Sequence, residues 1–359
     1  MTDDRQRTTK LICTIGPASA GCVGALVRAG MDVARVNFSH GTDGEHRRMF
    51  ASVRAAADEA GREVATLADL PGPKVRLGEV PGGRMELAEG SRLTLGDAGA
   101  GENPGDGPWL GTGHPGLAHD VRPGDTVYLS DGTVELRVLH SVDVVVAEVV
   151  RGGTVRSRAG VNVPSSRLSL PAVTARDEAD LALAVGLGCD VVAQSFVRRA
   201  DDVRRLRQFV GGLTPRIVAK IETRGAVEEF DGILAHADGV ILARGDLGVE
   251  LPFEQVPVIQ KDLIARARRA GVPVVVATQL LLSMCRSPRP TRAEANDVAN
   301  AAFDGADGVL LSDETAVGRH PVAAAEAAVR ILETADRWMG SPGAAPVDGP
   351  DRSTLRRLA

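Results

Sequence analysis

Lys220 and Glu222 stand two residues apart at the end of an apolar run, and Asp246 follows the next such run. A two-residue spacing on a strand sends both side chains to one face. Two carboxylates and one ammonium around a single spot suit Mg²⁺, which takes few hard oxygen ligands and keeps places for water and substrate phosphate. The plainer alternative is a structural ion pair inside the barrel mouth. Gly245-Asp246-Leu247-Gly248 can open a helical turn whose backbone N–H groups bind a carboxylate or phosphate, or can be a plain turn. Arg35 and Arg76 can fork a phosphate, or each can be a surface arginine. His40 can act as a general base, or sit as a solvated or packing residue. Thr291 and Glu294 have capping-box spacing ahead of an apolar helix, which is a structural role. No Ser/His/Asp order and no Walker sequence occurs.

These residues need elements to hold them, and the chain supplies a regular rhythm. Apolar runs at Lys10 to Ile15, Asp32 to Phe38 and Glu63 to Leu70 alternate with helical stretches at about Ser19 to Arg28 and Glu45 to Ala60. Between about Lys74 and Ser166 the pattern changes to short alternating segments (MELAEG, SRLTLGD, DTVYLSDG, TVELRVLH, VDVVVAEVV) separated by Gly, Pro and Asp, which predicts a small antiparallel β domain. The α/β rhythm then resumes, with runs at Asp190 to Ser195, Arg216 to Ile221, Gly239 to Ala243, Val272 to Thr278 and Gly308 to Ser312. Helical stretches are expected at about Ala175 to Leu187, Ala200 to Val210 and Val322 to Trp338. Three runs before the insertion and five after it make eight β/α units, the number that closes a TIM (β/α)₈ barrel. A doubly wound open sheet is the rival, but Ile15-Gly16-Pro17-Ala18-Ser19 is not its Gly-rich phosphate turn. The expected organisation is a barrel of residues 1–73 and 167–340, a small β-barrel lid at 74–166 inserted after strand 3, and a flexible tail at 341–359.

In such a barrel the reactive side chains gather at the carboxyl ends of the strands. Strand two ends in Arg35, Asn37, Ser39 and His40. Asp69 closes strand three, followed by Lys74 and Arg76; strand five brings Lys220 and Glu222. Arg244, Gly245 and Asp246 follow strand six, Thr278 strand seven, and Ser312, Asp313 and Glu314 strand eight.

Composition narrows the class. The net charge of −5, with both signs interspersed, argues against a nucleic-acid groove. The polar first residues predict no export signal, and no later stretch is apolar for long enough to predict a membrane span. Four scattered cysteines without a CxxC pair suit reduced thiols in cytoplasm better than disulfides or zinc.

TKLICTIGPAS (9–19), VARVNFSHG (33–41), AKIE (219–222), ARGDLG (243–248), ATQ (277–279) and PRPTRAE (288–294) resemble, in order, the signatures of the pyruvate kinase family. The resemblance runs from about Thr9 to Leu332. It implies a barrel with an inserted lid, and phosphoryl transfer between phosphoenolpyruvate and ADP giving pyruvate and ATP. By the same resemblance, Glu222 and Asp246 bind Mg²⁺ (or Mn²⁺) and Lys220 stabilises charge on the transferring group. Arg35 holds phosphate with Arg76 beside it, and the Gly245 and Asp246 amides receive the substrate carboxylate. Thr278 lies near the carbon that is protonated, and Asn37, His40 and Arg76 face the nucleotide. Many members hold K⁺ with residues matching Asn37, Ser39, Asp69 and Leu70 and have a glutamate where Lys74 stands; the lysine implies activity without K⁺.

Three further residues depart from the family pattern: Asp313 replaces a usual glycine, Ala159 a lid lysine and Gln194 a small residue. They keep open an altered nucleotide or acceptor, a paralogue using phosphoenolpyruvate or a related enol or keto acid, such as a metal-dependent aldolase, or a non-catalytic binding protein. About 20 residues follow the last expected barrel helix, where the family carries a regulatory C-terminal domain. Effector control through that domain is therefore not expected, the usual tetramer is not assumed, and a homodimer through the barrel helices is one assembly left open.

Overall fold

The computed structural model describes residues 7–99, 107–164, 168–212 and 214–341. The expected tail, apart from Ser341, lies outside them. Two compact units are formed: Met1–Gly72 with Val173–Gly245 and Glu254–Ala359, and Pro73–Ala172 with Asp246–Phe253.

The first unit is a closed barrel of eight strands. Numbering these alone, they are β1 (Lys10–Ile15), β2 (Val33–Asn37), β3 (Ala65–Leu70), β4 (Val191–Gln194), β5 (Arg216–Ile221), β6 (Gly239–Ala243), β7 (Val274–Ala277) and β8 (Gly308–Leu311). Each pairs in parallel with its sequence neighbour, and β1 closes the ring on β8.

Alternation splits the core into two layers. Ile12, Leu67, Ala193, Val218, Ile241 and Leu310 point inward and pack on one another, while Leu11, Cys13, Ala68, Val192, Ile217 and Val309 point outward to the helices. Burial on both faces is why these strands read as unbroken apolar runs rather than alternating ones.

Sequence-local signals start the helices. Capping boxes at Thr42/Glu45, Thr174/Asp177 and Thr291/Glu294 begin Asp43–Ala60, Ala175–Gly186 and Arg292–Phe303. The last helix, Pro321–Met339, buries Ala324, Ala325, Ala327 and Ala328, small residues that let it lie close to its neighbours. The first helix is shorter than expected, Val23–Ala29. Gly16 to Ala20 instead closes turns in which the Ser19 and Ala20 N–H groups donate to the Gly16 carbonyl.

In the second unit, a six-stranded sheet runs in the order Val161–Asn162, Thr126–Leu129, Val134–Ser141, Val145–Arg151, Arg92–Asp97 and Trp109–Thr112. Its pairs are antiparallel, as expected, except the last, which is parallel. A separate antiparallel pair joins Arg84–Leu87 to Gly153–Arg156. Among the described residues no helix is long and apolar enough to cross a membrane. All four cysteines are free thiols, and burial pushes the Cys189 thiol up to about 12.

Candidate active site

Toward the carboxyl ends of β1, β2, β3 and β5 the inward positions become polar. On β2 and β3 these positions are Arg35 and Asp69. Both are buried; Arg35 Nε lies 2.7 Å from Asp69 Oδ2, and Nη1 donates to Thr14 Oγ1 at 2.8 Å. Lys220, on β5, completes the group: its Nζ is 2.7 Å from Glu222 Oε1 and 3.4 Å from Asp69 Oδ1, and it donates to Ser195 Oγ at 3.0 Å. Ser195 Oγ donates in turn to Asp69 Oδ1, and Glu222 Oε2 accepts the Phe196 N–H at 2.8 Å.

Two carboxylates thus face two cations, and the cluster is neutral. Burial alone would raise the Asp69 pKa, but the Lys220 ammonium and Arg35 guanidinium, with hydrogen bonds from Arg35 and Ser195, hold it below the usual carboxylate range. The Lys220–Glu222 ion pair considered from spacing alone is therefore present, as one edge of a larger network. Close approach behind it requires Gly72: at φ +66°, a Cβ there would lie 2.7 Å from the Ser195 carbonyl oxygen.

A second group forms where β6 and β7 end. Thr278 lies beyond the observed end of β7, with φ +73°, followed by Gln279 at φ +55°. A β-branched residue in the left-handed region costs about 1–3 kcal/mol, held only where the surroundings enforce it. Here Thr278 Oγ1 accepts the Gly245 N–H at 2.7 Å and donates to the Ala277 carbonyl, while the Thr278 carbonyl accepts from Arg244 Nη2 at 2.7 Å. Arg244 is itself fixed by Asp297 Oδ1 at 2.7 Å and Gln260 Oε1 at 3.3 Å. The Gly245 amide is therefore committed to Thr278 in this state.

The second unit contains Lys74, Arg76 and Asp246. Lys74 Nζ lies 2.9 Å from Asp246 Oδ1 and 3.6 Å from Asp131 Oδ1. Arg76 does not extend a barrel strand: β3 ends at Leu70, and Arg76 forms an antiparallel bridge with Gly160, its Nη1 donating to the Arg158 carbonyl at 3.2 Å. Asn37 Oδ1 accepts the Ser39 N–H, Leu70 is buried, and His40 is exposed with its carbonyl accepting from His46.

The three departures from the family pattern stand in different settings. Asp313 is exposed and solvated. Gln194 points outward from the barrel and donates to the Asp202 carbonyl of the neighbouring helix, and Ala159 accepts the Leu77 N–H through its carbonyl.

Several participants were not singled out from the sequence. Thr14 and Ser195 share the inward parity of their strands, a signal that was available. Glu314 is not an open rim group: it is buried, and its oxygens accept the Leu281 and Ser312 N–H groups. The Arg244–Asp297 pair joins residues far apart in sequence and left no local mark.

The first unit is thus a closed parallel (β/α)₈ barrel with a compensated carboxylate–lysine–arginine cluster at its strand ends. The family model "Pyruvate kinase, barrel domain" matches residues 6–325. Curated pyruvate kinases from Geobacillus stearothermophilus, Mycobacterium tuberculosis and Thermococcus litoralis are 47%, 46% and 41% identical, over 89%, 91% and 97% of this chain. The matches cover 55%, 70% and 75% of those proteins, so the chain spans little more than half the length of the first. The chain belongs to the pyruvate kinase family.

Proposed function

We propose that this chain catalyses phosphoryl transfer between phosphoenolpyruvate and ADP, giving pyruvate and ATP, with residues 1–73 and 167–340 as the catalytic barrel and 74–166 as its lid. The observation that carries the reading is the neutral Arg35–Asp69–Lys220–Glu222 cluster at the strand ends. An entering phosphoryl anion needs positive charge already in place, and phosphoryl transfer depends mainly on such positioning and electrostatics. Arg35 and Lys220 hold the phosphoryl oxygens as the bond from phosphorus to the enol oxygen breaks and a bond to a β-phosphate oxygen of ADP forms. The enolate then takes a proton at its methylene carbon beside Thr278. The Gly245 and Asp246 amides take the carboxylate, the Gly245 N–H leaving Thr278 Oγ1 to do so, and Asn37, His40 and Arg76 face the nucleotide.

The donor chemistry fits a divalent cation. Glu222 and Asp246 are carboxylates, hard oxygen donors of the kind a divalent cation takes, and each now pairs with a lysine. Among the described residues no group of three or more His, Cys, Asp or Glu converges. Two protein ligands with water and substrate oxygens suit Mg²⁺ or Mn²⁺. Bound there, the ion supplies positive charge to the anionic substrate.

Activity is independent of K⁺ in this reading, which rests on a lysine at position 74, where the resemblance puts a glutamate in K⁺-using members. Free thiols support a cytoplasmic setting.

The test is turnover of phosphoenolpyruvate and ADP with Mg²⁺ in potassium-free buffer, with and without KCl. Pyruvate and ATP in equal amounts, unchanged by KCl, are expected. Pyruvate from a longer keto acid without ADP would indicate an aldolase instead, and a many-fold rise with KCl would overturn the role of Lys74.

A further inference from the structure

The segment 38–41 connects β2 to the helix Asp43–Ala60, and its backbone is gripped from the interior side. The Phe38 N–H donates to the Asp69 carbonyl at 2.9 Å, tying the segment to the charged cluster. The Phe38 carbonyl accepts from Arg176 Nη2 at 2.8 Å, and the His40 carbonyl accepts from His46 Nε2 at 2.8 Å. His46 is buried, its ring stacked on Phe38 at 4.1 Å between centroids and 26° between planes, and Phe38 meets Phe50 edge-on. The capping box of Thr42 and Glu45 fixes the helix start, so His46 in the first turn has little freedom.

The hydrogen bond assigns a proton to one ring nitrogen. A carbonyl acceptor requires the proton on Nε2, and Nδ1 has no hydrogen-bond partner. A ring serving only to fill space would need no such bond. Leucine or phenylalanine would do that without a buried unpaired nitrogen.

We infer that His46 is a positioning residue for the nucleotide subsite, fixing the His40 carbonyl, and with it the Asn37 and His40 side chains, through a buried hydrogen bond, while Arg176 does the same at Phe38. The inference rests on the reading of Asn37 and His40 as nucleotide-facing. His46 is too deeply buried to touch the nucleotide itself.

Two substitutions separate positioning from packing. His46→Phe keeps an aromatic ring against Phe38 but removes the donor; His46→Gln loses the ring but keeps an N–H near the Nε2 position. Binding of Mg·ADP by calorimetry, and KM for ADP and for phosphoenolpyruvate, are measured on each folded protein. His46→Phe should weaken ADP by about tenfold, the equilibrium equivalent of one lost buried hydrogen bond, with KM for phosphoenolpyruvate within about twofold. His46→Gln should restore ADP to within about threefold of the parent. The reverse ranking, equal effects on both substrates, or no effect overturns the inference. If His46→Phe does not fold, Arg176→Met tests the Phe38 grip in its place, and the same selective loss of ADP is required. Failure of the unsubstituted protein to bind ADP would overturn the nucleotide reading and the inference together. Normal ADP binding by the parent with unchanged variants overturns the inference alone.

Discussion

Two regions of the molecule pair a lysine with carboxylates, and they do so under different conditions. In the barrel, Lys220 meets Asp69 and Glu222, whose side chains are 2% and 1% exposed. In the second unit, Lys74 meets Asp246 and Asp131, 24% and 73% exposed. Water can replace a partner in the second group but not in the first. The buried group is therefore rigid and intolerant of losing a member, as the proposed phosphoryl transfer would require of charges fixed beforehand. The open group can exchange partners at little expense, as suits an ammonium next to a carboxylate proposed to bind metal.

The contrast can be broken or sharpened by measurement. The largest effect is expected for Lys220→Met, which should lower turnover by about three orders of magnitude or more, because it removes a charge aimed at the transferring group. Undiminished turnover would remove Lys220 from the mechanism. Next, Asp69→Asn should destabilise the fold by about 3–5 kcal/mol in urea denaturation, since Arg35 and Lys220 would lose a buried counter-charge. A loss below 1 kcal/mol would show the cluster to be better solvated than its burial indicates.

Acid should act on the same group. Asp69 has a lowered pKa in the fold, so its contribution to stability is complete above the ordinary carboxylate pKa and disappears as pH falls through the depressed value. Glu294 behaves likewise: burial opposes its ionisation, but hydrogen bonds from Ser283 and Thr291 outweigh it. The urea midpoint should be level down to about pH 5 and fall below about pH 4. A midpoint unchanged at pH 3 would contradict this.

A smaller effect is expected at Asp297→Ala, which frees Arg244 from the clamp on the Thr278 carbonyl. It should reduce kcat by about tenfold with little change in KM for ADP, as loosening of a positioned group does. The smallest is Asp131→Asn. Its exposed pairing with Lys74 should be worth no more than about 1 kcal/mol, leaving the melting temperature within a few degrees.

Much of this architecture is written locally. Eight apolar runs, the break after β3, the Thr291/Glu294 capping box and the two-residue spacing of Lys220 and Glu222 depend on neighbours a few residues away, so period and propensity suffice to read them. The motifs that mark the family are equally short-range strings. Other features have no local signature. Thr278 reads as the end of a strand, yet its backbone turns left-handed because Gly245 and Arg244 take up its hydroxyl and carbonyl. Arg76 follows β3 in sequence, yet it pairs with Gly160. Ser195 shares the inward parity of its strand, but that Lys220 and Asp69 are its partners has no local mark.

By itself, then, the sequence determined the barrel, its strand-rich insertion and the family, because hydrophobic period and short motifs are properties of adjacent residues. Only the tertiary structure decided which carboxylate each lysine and arginine takes, which amide Thr278 binds and which histidine holds the 38–41 segment. Those choices depend on distances of a few ångströms between groups far apart in the chain, in an interior where every charge and carbonyl must find a partner.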